Sequence, residues 1–174
     1  MGWTYEYNTT RSRVIKDLIQ PYESERHSFR TLRHTCVGST LFAVHESTLN
    51  GKSTKFIGVY LLAKGPEGSF GYKGMDETMG PYQYACPLSY LDMVDEPMNE
   101  NSANWREKVR GFWEQKKAQN AKRPQVGEIW TCHGTNCKKI RIARVEGRRI
   151  EAYNLTGPGY YRIPKKLLGE KVSE

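Results

Sequence analysis

The densest set of side chains capable of chemistry in this 174-residue chain is Phe70-Gly71-Tyr72-Lys73-Gly74-Met75-Asp76-Glu77-Thr78-Met79-Gly80-Pro81, followed closely by Cys86-Pro87. Lys73 is suited to hold an anion, and Asp76 with Glu77 to bind a divalent cation or to act as acid or base. Adjacent carboxylates point in different directions, however. The alternative is that Asp76 and Glu77 cap backbone groups while Met75 and Met79 plug a core. His34 and His45 lie on the two arms of an expected hairpin, where they could face one another. With them the candidate catalytic set is Tyr72, Lys73, Asp76, Glu77, His34, His45 and Cys86. No known catalytic constellation is complete within it.

Other short motifs fail on spacing. Asn50-Gly51-Lys52-Ser53-Thr54 ends like a phosphate-binding loop, but that loop needs a second glycine where Glu46 stands. His45-Glu46 lacks the second histidine of a metalloprotease pair, and the two signatures of a zinc deaminase are both missing. Cys132-His133-x3-Cys137 offers three soft ligands where structural zinc takes four, with Cys36 and Cys86 distant in sequence. We therefore expect ordinary thiols, assign no metal site and leave any cofactor unknown.

Charge carries the stronger signal. The chain holds 27 Lys and Arg against 19 Asp and Glu, a formal net charge of +8. Residues 1–101 carry ten basic and twelve acidic side chains, whereas residues 102–174 carry seventeen basic and seven acidic. Neutralising nucleic-acid phosphates releases condensed counterions, so a cationic module of this kind points to nucleic acid. The residues placed on phosphates are Lys138, Lys139, Arg141, Arg144, Arg148, Arg149, Arg162, Lys165 and Lys166. Tyr153, Tyr160 and Tyr161 lie close in sequence, either stacking on bases or filling a core. Between Glu77 and Met98 the chain has Glu77, Asp92, Asp95 and Glu96 with no Lys or Arg. That acidic stretch precedes the basic module.

The elements that must position these groups follow from periodicity. Trp3, Tyr5 and Tyr7 alternate with polar residues as on a strand. Thr9 or Thr10 caps a helix running to about Gln20, with Val14, Ile15, Leu18 and Ile19 facing inward, and Pro21 ends it. Phe29–Cys36 and Thr40–Ser47 form a hairpin around Val37-Gly38-Ser39, and Lys55–Lys64 reads as a buried strand. The breakers Gly65, Pro66, Gly68, Gly71, Gly74, Gly80 and Pro81 predict a long loop over 65–81. A short helix opens at Cys86-Pro87, and Ser102 caps a longer one to about Ala118 whose Trp105, Val109, Phe112 and Trp113 share a face. Beyond Pro124, four short strands separated by turns suggest a small barrel: Gly127–Cys132, Lys138–Val145, Arg149–Asn154 and Tyr160–Ile163.

The fold expected is α+β. An N-terminal antiparallel sheet with helices occupies 1–101, a connecting amphipathic basic helix 102–122, and a small SH3-like β-barrel 123–174. Aromatic residues make up 11% of the chain, which argues against disorder despite a mean hydropathy of −0.74. Apolar runs of four to seven residues fall far short of the roughly 20 needed to cross a bilayer. No membrane partner is expected. Met1-Gly2-Trp3-Thr4-Tyr5 has neither a basic nor an apolar leader region, so the expected compartment is the cytoplasm.

Met1-Gly2-Trp3-Thr4, the Phe70–Pro81 segment, Cys86-Pro87-Leu88 and Trp105-Arg106 together resemble a family of small uncharacterised proteins of bacteriophages, plasmids and related bacterial genomes. The resemblance covers roughly residues 1–110. It implies a mobile-element setting and thus roles in DNA metabolism, DNA modification or evasion of host defence, without implying a mechanism. The function expected is binding of nucleic acid, most readily DNA, or of a host nucleoprotein complex. Two alternatives stand beside it. One is a nucleic-acid-modifying enzyme with its site at the 70–81 loop. The other is a protein-binding inhibitor of a host defence factor acting through the acidic 77–100 stretch.

Overall fold

The computed structural model describes residues 2–121, 123–133 and 138–172. The chain divides into two compact units, the first ending at Gln115 and the second beginning at Lys116. The division falls inside the long helix Glu100–Ala121, so most of that helix belongs to the first unit.

The first unit contains β1 (Thr4–Glu6), α1 (Arg11–Ile19), β2 (Tyr22–Glu23), β3 (His27–Val37), β4 (Thr40–Leu49), β5 (Lys52–Lys64), β6 (Phe70–Asp76), α2 (Leu88–Leu91) and α3 (Glu100–Ala121). Its strands form one antiparallel sheet in the order β1-β6-β5-β4-β3-β2. Side chains alternate across a strand, so a sheet covered on both sides needs apolar groups at successive positions of its central strand. β4 meets this requirement, with every residue from Thr40 to His45 buried. Phe42 and Val44, with Ile57 and Val59 of β5, pack on Cys86, Tyr90, Leu91, Trp105 and Val109. Leu41 and Leu62 face the other way, against Val14 and the half-buried Ile15, Leu18 and Ile19 of α1.

Local chemistry sets the element ends. The Thr10 hydroxyl accepts the Arg13 amide and starts α1, which settles the choice left between Thr9 and Thr10. Gly38, at φ +61°, makes the β3–β4 turn. The start of α3 differs from expectation: Asn99 caps it. Asn99 Oδ1 accepts the Ser102 amide at 2.9 Å, while the Ser102 hydroxyl accepts the Asn99 amide at 3.1 Å. Ser102 is the reciprocal partner in this box rather than the cap, because its hydroxyl lies one turn into the helix.

The expected 65–81 loop is also corrected. Only a tight turn around Pro66–Gly68 separates β5 from β6, and β6 is a central strand. The glycines serve packing instead. A Cβ on Gly71 would stand 2.4 Å from the Thr4 carbonyl oxygen and 2.5 Å from the Tyr5 ring, and one on Gly74 would press on Tyr60 at 3.2 Å. Glycine here gives close approach between a strand and aromatic rings.

The second unit holds β7 (Ile129–Cys132), β8 (Lys139–Glu146), β9 (Arg149–Asn154), β10 (Tyr160–Pro164), a 3-10 turn (Lys165–Leu167) and β11 (Leu168–Val172). They form a curled antiparallel sheet, a half-barrel in the order β10-β9-β8-β7-β11. Trp130, Cys132, Ile140, Ile142, Ile150, Ala152 and Ile163 fill its core. The sequence pattern missed β11, whose Gly169-Glu170-Lys171 centre is polar. The Thr131 hydroxyl accepts the Glu170 amide at 2.7 Å and holds this strand to β7 across an irregularity in register.

Gly71→Ala places a methyl group against the backbone of β1 and the ring of Tyr5. It is expected to cost about 1–3 kcal/mol in urea unfolding, with Gly68→Ala, open to solvent but at positive φ, as the comparison for backbone strain alone.

Candidate functional site

Burial separates the seven catalytic candidates. Glu77 is fully buried in the short turn after β6, and its carboxylate is occupied on both oxygens. Oε2 accepts Arg106 Nε at 2.5 Å, while Oε1 accepts Arg106 Nη2 at 2.8 Å and the Ile57 amide at 3.1 Å. Arg106 also donates through Nη1 to the Asp95 carbonyl at 2.7 Å. A carboxylate so held is a structural anchor. Cys86 lies beside it in the core, and burial, with the nearby Glu77 charge, pushes its thiol up to about 12. It is a poor nucleophile.

Tyr72, His45 and Asp76 share one face of the sheet, and Lys73 is on the other by strand alternation. His45 is fully buried. Its Nδ1 lies 3.1 Å from the Thr31 hydroxyl and its Nε2 2.8 Å from the Tyr60 hydroxyl. Gly58 leaves room for the ring: a Cβ there would stand 2.7 Å from it. Desolvation lowers His45 from the usual 6.5 to about 4, so the imidazole is neutral at pH 7. The phenol is the stronger acid of its two partners, so Tyr60 donates to Nε2 and Nδ1–H donates to Thr31. Tyr60 is itself raised to about 12, by burial first and then by Tyr72 and Asp76. Thr31, His45 and Tyr60 thus close a satisfied polar chain inside the sheet. Sequence reading missed Thr31, Tyr60 and Arg106, because nothing in their local spacing marks them.

His34 does not face His45. It is exposed and pairs with Ala43, further along the ladder, while the residue opposite His45 is Thr31. Asp76 Oδ1 accepts the Thr78 amide at 2.8 Å and the Thr78 hydroxyl, the capping role given above as the alternative. Asp76 also borders an open groove of about 480 Å³ with Phe56 and Met98. The acidic stretch is broken up as well: Glu77 is buried, and Asp95 Oδ2 accepts the Lys55 amide at 2.8 Å. Cys137 of the Cys132-His133-x3-Cys137 cluster lies outside the described residues, as do the turn residues 134–136. Among the described residues no three His, Cys, Asp or Glu gather as metal ligands, and no helix is long and apolar enough to cross a membrane.

The cationic candidates are brought together more fully. In the second unit Ile140 and Ile142 point inward, so Lys139 and Arg141 point outward, and a bulge between Ile142 and Arg144 keeps Arg144 on that outer face. Register then sets three rows across β8, β9 and β10. Arg141 lies opposite Tyr153, which lies opposite Tyr160; Arg144, Glu151 and Arg162 follow; then Glu146, Arg149 and Pro164. Tyr153 and Tyr160 are 56% and 51% exposed, so they belong to the surface and not to the core. Their ring centroids are 5.0 Å apart in an edge-to-face pair. The Tyr160 hydroxyl donates to Glu151 Oε2 at 2.7 Å. Two carboxylates temper the face: Glu146 holds Arg144 at 2.8 Å and Arg162 at 3.0 Å. Lys138 and Arg148 are exposed at strand ends, while Lys165 and Lys166 sit in the 3-10 turn. Lys165 shares an open pocket with Arg123 and Trp130.

Glu77→Gln keeps the shape of the side chain but leaves the Arg106 guanidinium without a charge partner. It is expected to destabilise the chain by about 3–5 kcal/mol in urea unfolding. The unfolded chain binds a proton at His45 below about pH 6.5, whereas the folded chain does so only near pH 4. Stability therefore falls as pH drops through that window, by up to about 3 kcal/mol from this group, and the fall is smaller in His45→Gln.

No family model, curated protein or solved structure matches the chain.

Proposed function

We propose that the protein binds nucleic acid through the outer face of β8, β9 and β10, free or within a host nucleoprotein complex. The observation that carries this reading is the convergence of Lys139, Arg141, Arg144, Arg149 and Arg162 on one exposed face around two exposed tyrosines. Such a face supplies phosphate contacts from the cations and flat surfaces for bases from the rings. The strand order, with a 3-10 turn leading into a last strand that pairs with the first, supports reading the unit as an SH3-like small barrel. In keeping with the sequence resemblance, the proposed role belongs to mobile-element DNA metabolism or evasion of host defence.

The enzymatic alternative draws less support, since Glu77, Cys86 and His45 are committed to the core of the first unit. The inhibitor alternative weakens for a similar reason: two of its acidic residues hold the fold together.

The test is a salt titration of the full chain with labelled oligonucleotides. Changing Lys138, Lys139, Arg148 and Arg149 together to Ala is expected to make the slope of log K against log salt shallower by about 3 and to weaken binding at least tenfold. Unchanged affinity in that variant overturns the proposal.

A further inference from the structure

We infer that the outer face of the second unit selects single-stranded over duplex nucleic acid, with Tyr153 and Tyr160 as the base-stacking residues. This inference rests on the nucleic-acid reading above and sharpens its ligand. Three observations carry it.

The first is the position of the rings. Tyr153 and Tyr160 are direct cross-strand neighbours flanked by Arg141, so an aromatic surface continues into a cation along one row. Both rings are about half exposed, and the hydrogen bond from Tyr160 to Glu151 fixes the orientation of one of them in advance. Splayed bases of a single strand have free π-faces to lay on such rings. A duplex has its bases stacked internally and presents phosphates and groove edges.

The second is width. Neighbouring strands lie about 4.8 Å apart, so three of them span about 10 Å between outer axes before any side chain is added. A major groove of about 12 Å admits a helix or a two-stranded ribbon. Tyr153, on the middle strand, cannot be carried to base edges by that route.

The third is charge. Glu146 occupies Arg144 and Arg162 from the next row, and Glu151 lies between the two arginines in their own row. Two carboxylates among the cations oppose the dense phosphate array of a duplex, which carries one charge per about 1.7 Å of axis. They matter less to a single strand, whose affinity comes partly from stacking. A carboxylate placed among binding cations is thus a specificity device acting against the wrong ligand.

The experiment uses the full chain with fluorescein-labelled oligothymidylate, oligouridylate and a mixed-sequence duplex, each of about 15 nucleotides or base pairs, by fluorescence anisotropy at one salt concentration. Three proteins are compared: the natural chain, Tyr153→Ala with Tyr160→Ala, and Tyr153→Phe with Tyr160→Phe. The expected result is at least tenfold tighter binding of either single strand than of the duplex. The alanine pair then loses roughly ten- to a hundredfold on the single strand and little on the duplex, while the phenylalanine pair keeps single-strand binding. Whichever of the thymidylate and uridylate arms is tighter identifies DNA or RNA as the natural source. Equal or tighter duplex binding, or an alanine pair that is folded by circular dichroism and unchanged on single strands, overturns this inference while leaving nucleic-acid binding standing. No binding of any of the three oligonucleotides overturns both.

Discussion

The ion pair between Glu77 and Arg106 is the constraint around which the first unit is arranged. Removing two charges from water is costly, and their mutual attraction offsets that cost only when the remaining hydrogen-bonding capacity is also used. Here it is used: Glu77 takes the Ile57 amide as well as two guanidinium nitrogens, and Arg106 reaches the Asp95 carbonyl. One pair thereby ties β5, the turn after β6, the chain before α3 and α3 itself. The indoles of α3 follow from that placement, Trp105 donating to the Gln83 carbonyl and Trp113 to the Cys86 carbonyl. The segment between β6 and α3 has little regular structure of its own, and these donors satisfy its backbone.

The opposite face of the same sheet carries a second polar device with different physics. His45 is held neutral by desolvation, and both ring nitrogens are satisfied by hydroxyls from neighbouring strands. Glycines at 58 and 74 lower the sheet surface under His45 and Tyr60, so rings lie where a methyl group would collide or crowd. Where the sheet is packed on both sides, at β4 and its neighbours, it has little free surface for polar groups. Those it buries are therefore paired across strands, and that pairing depends on register.

In the second unit, one short alternation does two jobs. The isoleucines of β8 and β9 close the core, and the same period sends Lys139, Arg141, Arg149, Glu151 and Tyr153 outward. The bulge between Ile142 and Arg144 keeps Arg144 on that face, where Glu146 meets it and Arg162. The exposed surface is accordingly a mixed array of cations, carboxylates and rings. Its field is weaker than the sequence count of charges suggests, because opposite charges at contact distance screen each other.

The sequence alone determined the features that depend on near neighbours. Its charge asymmetry, the strand periods, a threonine cap at Thr9 or Thr10, the β3–β4 turn and the outward placement of Lys139 and Arg141 all follow from sequence over a few residues. Glycine density misled, because the same residue serves a turn and a close approach, and only β6 lying beside β1 and β5 distinguishes them. Tertiary structure decided which candidates meet. Glu77 finds Arg106 across 29 positions and His45 finds Tyr60 across 15, while register sets Thr31, not His34, opposite His45. Likewise, Tyr153 and Tyr160 became a surface pair only through the register of β9 and β10. Local period says which way a side chain points. What it points at is set by topology and register, which bring together residues whose separation in sequence carries no period at all.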